Sequence, residues 1–65
     1  MENIKLNIRA IAANEKISIE ELAKRCGINP AHLKQVSAGN VKMLAEDVWK
    51  IAKYTGIPAD NIVAV

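Results

Sequence analysis

A chain of 65 residues with a formal net charge of +2 is one domain with a small core, because folding at this size hides only about 60% of the surface the unfolded chain exposes. Half of the residues are apolar, but Trp49 and Tyr54 are the only aromatic ones, so Ile, Leu, Val and Ala must fill the core, which favours helices packed on helices and argues against an active-site cleft. A single cysteine excludes an internal disulfide and points to a reducing cytosol; no apolar run approaches the roughly 20 residues of a membrane span, and MENIKLNIRA lacks the apolar stretch of a secretory signal.

Ile4, Ile8, Ile11 and Ala12 recur at helical spacing, which predicts a first helix from about Asn3 to Ala13, closed by Asn14-Glu15-Lys16. Ser18 caps a second helix from Ile19 to about Cys26, with Glu21 completing a capping box and Ile17 stapling onto Leu22. Gly27 ends it with a positive φ, and Asn29-Pro30 supplies the cap and first residue of a third helix that runs to about Ala38 and stops at Gly39-Asn40. Val41 to Leu44 is a connecting loop. A fourth helix carries Ala45, Val48, Trp49, Ile51 and Ala52 on its inner side and stops at Gly56, and a short fifth lies near Pro58 to Val63. Glu20, Glu21, Glu46 and Asp47 fall in first turns, where the helix dipole favours acids, and that role is sufficient for them.

Charge is distributed unevenly. From Leu22 to Ala45 there are Lys24, Arg25, Lys34 and Lys42 and no acid. Two short helices joined by a glycine turn need a small residue at their contact and apolar residues in register around it. Ala23 is that small residue, flanked by Leu22 and Cys26 before the turn and by Ile28, Leu33 and Val36 after it. The segment ISIEELAKRCGINPAHLKQVSAGN, followed by DVWKIAKYTGIPADNI, resembles the helix-turn-helix of lambda-repressor and Cro-type (XRE) DNA-binding regulators over nearly the whole chain.

The resemblance implies an all-α, compact five-helix lambda-repressor-like domain whose third helix enters the major groove of double-stranded DNA. With Leu33 and Val36 inward, helical spacing turns Pro30, Ala31, Lys34 and Gln35 outward with His32 beside them, solvated or facing DNA. Gln35 suits a bidentate contact with adenine, Lys34 guanine or phosphate, and Ala31 a thymine methyl. Asn29 stands at the helix start, and Asn40 and Lys42 in the following loop suit phosphate; these roles are carried over from the family. Lys24 and Arg25 are open between solubilising charge and phosphate contact. The family's usual Gln at the start of the second helix is Ile19 here, its frequent Arg–Glu pair is replaced by Ala12 and Ser37, and Pro30 offers no donor.

Cys26 sits at an apolar position and reads as a buried, inert thiol. With His32 the only histidine, there is neither a zinc ligand set nor a catalytic dyad, so no metal, cofactor or enzyme activity is expected. Trp49 belongs either to the core or to the edge of its stripe, where it joins Ile62, Val63 and Val65 as candidate contacts of a homodimer. The expected function is a sequence-specific repressor of the small phage- or mobile-element type, acting as a cytoplasmic homodimer on a palindromic operator. The alternative is a protein-interaction module that keeps the fold without specific DNA binding.

Overall fold

The structure is a computed structural model that describes residues 4–65. A two-residue strand, β1 (Leu6–Asn7), leads into α1 (Ile8–Asn14), followed by α2 (Ile19–Cys26), α3 (Pro30–Ala38) and α4 (Ala45–Thr55). A single 3₁₀ turn at Ala59–Asn61 precedes β2 (Ile62–Val63), which pairs parallel to β1 with Leu6 opposite Ile62 and Asn7 opposite Val63. Ile8, Ile11, Leu22, Leu33, Val36 and Ile51 are fully buried and draw one side chain or more from each of the four α-helices into a single core.

The termini depart from the sequence reading. Four α-helices are present among the described residues, not five, and the fold is not purely helical. The expected first helix begins at Asn3, which lies outside the described residues, but α1 starts only at Ile8. The Asn7 side chain accepts from Ala10 N at 2.7 Å and caps the helix there. Leu6 and Asn7 take ladder positions against the C-terminal segment, which leaves Ile4 65% exposed. The expected fifth helix is replaced by the 3₁₀ turn and β2, since the β-branched Ile62 and Val63 suit a strand. Ile62 is only 6% exposed and packs in the core opposite Leu6, so it is not an exposed dimer contact. On α4, Ala45 and Trp49 do not face inward: Ala45 is exposed and Trp49 is 60% exposed, which resolves its position in favour of the stripe's edge.

Chain reversals follow local chemistry. Ser18 Oγ accepts from Glu21 N at 3.0 Å, but the Glu21 carboxylate binds Arg25 Nε at 3.0 Å instead of closing the capping box. Asn29 Oδ1 accepts from Ala31 N at 2.9 Å and His32 N at 3.3 Å, with Pro30 behind it as the first residue of α3. Gly27 (φ +80°) and Gly39 (φ +86°) terminate α2 and α3 in the left-handed conformation that a Cβ disfavours. α1 ends in the same conformation without a glycine, at Lys16 (φ +59°), with Ile17 N donating to Ala12 O at 3.1 Å. Relief of that strain in Lys16→Gly is expected to raise stability by about 0.5–1 kcal/mol after the entropy glycine adds to the unfolded chain. Thermal melting would read this as a rise in Tm of about 2–8 °C.

Candidate nucleic-acid interface

The positions of α2 and α3 follow from the side chains between them. Leu22 and Ala23 have no exposed surface, Cys26 and Ile28 almost none, and Leu33 and Val36 meet them from α3. Burial pushes the Cys26 thiol pKa up, with Glu15 adding to the effect, so at neutral pH it stays protonated and unreactive. With the apolar face of α3 so occupied and both of its ends capped, its opposite face is presented on a rigid support.

That outer face carries Ala31, Lys34 and Gln35, all exposed, with Pro30 half-buried at its start. Asn40 Nδ2 donates to Gln35 Oε1 at 2.9 Å. The bond joins the helix to the loop after it and leaves Gln35 with its amide donors and a second acceptor lone pair, the set that a bidentate contact with adenine uses. Lys34 Nζ lies 3.3 Å from Glu20 Oε1, and Lys24 reaches the same carboxylate at 3.7 Å. The hydrogen bond from Lys34 and the charges of both lysines hold the Glu20 carboxyl below its ordinary pKa. Both ends of the pair are about half exposed, so Lys34 can exchange this partner for a phosphate or a base at little cost. Lys42 is exposed in the loop, with no ion pair among the described residues.

Two of the sequence-assigned residues are occupied differently from expectation. The Asn29 carbonyl oxygen is committed to capping α3, and only its amide nitrogen remains as a donor. His32 is not a freely solvated or DNA-facing side chain: its Nε2 lies 2.7 Å from Asp47 Oδ2, and the side chain is only 28% exposed. Asp47, expected to do no more than complement the helix dipole, is 4% exposed and also accepts from Leu44 N at 3.1 Å. One carboxylate oxygen therefore starts α4 and ties it to α3. The signal in the sequence was an unusual helix start, with Leu44 at a cap position that it cannot fill and an acid three residues later.

The proposed self-association residues do not form one patch. Trp49 lines a groove with residues at the end of α2, whereas Val65 sits with Arg9 and Ala38 and lies 3.8 Å from the position of a Cβ on Gly39. Among the described residues no cluster of three His, Cys, Asp or Glu could hold a metal ion, and no helix is long and apolar enough to cross a membrane.

Two short helices locked around Ala23 by a glycine turn, the second with a polar outer face free of acids, define a helix-turn-helix. A family model described as helix-turn-helix matches residues 8–62, and the chain belongs to that family, of the XRE and lambda-repressor-like type. It is a family of DNA-binding regulatory domains, which makes double-stranded DNA the partner and transcription regulation the role. No curated protein and no solved structure matches the chain.

Proposed function

We propose that the chain is a sequence-specific transcriptional repressor of the phage or mobile-element type that binds a two-fold symmetric operator as a homodimer. The observation that carries this reading is the Gln35–Asn40 hydrogen bond on the exposed face of a helix capped at both ends. It sets a base-reading amide in a fixed orientation, and in DNA recognition orientation supplies discrimination. Lys34 approaches guanine or phosphate, Ala31 a thymine methyl, and Asn40, Lys42 and the Asn29 amide the backbone. His32 acts behind this face, as the link that positions α3. Repression needs no further apparatus, because a domain seated in the major groove of a promoter excludes other proteins by occupancy.

Dimerisation follows from the span of one helix. The nine residues of α3 extend roughly 14 Å, about four base pairs, too few to single out one site in a genome. A second copy related by two-fold symmetry doubles the site, with half-sites about one helical turn apart. Val65, 72% exposed, and the half-buried Val63 are the apolar residues offered for that contact.

Selection of bound duplexes from a random pool, followed by anisotropy of the winner at several salt concentrations, tests the proposal. The expected winner is two-fold symmetric, with affinity that falls steeply as salt rises. In that site Gln35→Ala is expected to relax preference at one position in each half and cost about 1–3 kcal/mol, while Lys42→Ala weakens all sequences alike and lowers the salt slope by about one. A folded protein that enriches nothing would instead mark a protein-interaction module. The half-buried Ile19, which packs against the core where the family usually offers Gln to the backbone, favours that rival.

A further inference from the structure

The end of α2 and the outer side of α4 enclose a groove of about 500 Å³ that none of the six proposed DNA-contacting residues lines. Its apolar surface comes from Trp49, Tyr54 and the edge of Cys26, and its rim from Arg25, Lys50 and Lys53. Trp49 is the largest apolar side chain of the protein and, at 60% exposed, contributes little to the core. An indole held out at this cost in solvation is the kind of anchor that interfaces use.

The rim cations are ordered against the aromatic residues. Lys53 Nζ stands 4.9 Å from the centre of the Trp49 ring, Arg25 Nη1 donates to the Tyr54 hydroxyl at 3.2 Å, and Lys50 Nζ donates to Gly27 O at 3.3 Å. Glu21 shares Arg25 at 3.0 Å and Glu46 shares Lys50 at 3.8 Å, both from the outside of the groove's lining, whereas Lys53 has no carboxylate partner among the described ion pairs. The groove thus joins an aromatic surface to three cations, one of them without a counter-charge among the described residues.

We propose that this groove docks an acidic peptide segment of a partner protein, with an aliphatic or aromatic side chain against Trp49 and carboxylates on Lys53, Lys50 and Arg25. Charge complementarity selects the acidic character, and the exposed indole selects the apolar anchor. A DNA backbone would satisfy the cations but bring nothing to cover Trp49. A small ligand would need more enclosure than a groove that leaves this ring mostly open to water. Because α3 is not part of the groove, a partner docks there while DNA is bound, so the segment would connect the bound regulator to other proteins.

A random dodecapeptide library displayed on phage and selected against the full 65-residue chain provides the probe. Expected winners are rich in Asp and Glu around Leu, Ile or Phe. As synthetic peptides they shift the fluorescence of Trp49, the sole tryptophan. Their binding, read by anisotropy of the labelled peptide, weakens at least tenfold in Trp49→Ala and in Lys53→Glu. Both positions are exposed, and unchanged circular dichroism melting confirms that each variant is folded; Lys53→Ala, with at least a threefold loss, is the milder check. Neutral or basic winners, winners indifferent to both substitutions, or no enrichment would overturn the proposal. So would a tenfold loss of duplex DNA binding in Lys53→Glu without loss of peptide binding, which would assign the cations to phosphate.

Discussion

Leu33→Ala is expected to cost about 2–5 kcal/mol, the range for removing a fully enclosed leucine and leaving a cavity. Leu33 has no exposed surface and belongs to the same core as Leu22, Val36 and Ile51. A chain of this length holds only about 3–10 kcal/mol in total, so the variant should lose a large share of its stability and, toward the lower end of that range, its fold and DNA binding at 37 °C. Urea denaturation checks the cost, and a change below about 1 kcal/mol would mean that Leu33 is not a central contact between α3 and the rest. Gln35, two positions further along the same helix and exposed, provides the control. Its truncation should leave stability within about 0.5 kcal/mol while relaxing base preference at one position of each half-site. Opposite faces of one helix would then separate folding from recognition.

The bounds of α2 and α3 could be read from the sequence because their determinants are local. Ser18, Gly27, Asn29, Pro30 and Gly39 act on backbone groups only a few residues away, and each stands where its chemistry is used. The ends of the fold were less legible for the opposite reason. Ile4, Ile8 and Ile11 keep helical spacing, but Leu6 is drawn into a pairing with Ile62 at the other end of the chain, and nothing in a short window signals such a partner. The same pairing converts the expected fifth helix into a single turn and a strand. Trp49 was ambiguous because its stripe had more apolar residues than one face needs, and Val48, Ile51 and Ala52 supply the inward contacts.

On the outer face of α3, spacing was enough to place Ala31, Lys34 and Gln35 outward, since burial of Leu33 and Val36 fixes the helix's rotation. Side-chain partners were not legible. Gln35 meets Asn40 only because Gly39 turns the chain back beside the last turn of α3, and Lys34 meets Glu20 across two helices. These contacts alter the chemistry of the face: one orients an amide, and the other gives a basic residue a partner that DNA must displace.

The contact least visible in the sequence has the second large expected effect. Asp47→Ala removes the oxygen that accepts from Leu44 N and faces His32 Nε2, taking away a helix cap worth about 0.5–2 kcal/mol and a hydrogen bond to a charged group worth about 1.5–3 kcal/mol. Because the site is buried, water cannot fully replace either, and the combined cost is expected to be about 2–5 kcal/mol. Asp47→Asn keeps an acceptor for Leu44 and should recover about half of that. His32→Ala should cost less than Asp47→Ala because the cap survives, and the double variant should fall short of the sum of the singles by about 1–2 kcal/mol, the coupling between the two side chains. Operator affinity distinguishes a positioning role from a purely stabilising one. If the His32–Asp47 contact fixes α3 against α4, the still-folded His32→Ala protein will bind its site several-fold more weakly at low temperature, with the same base preference. Unchanged affinity in a folded His32→Ala variant would show that Gly39, Asn40 and the core hold α3 without the His32–Asp47 contact.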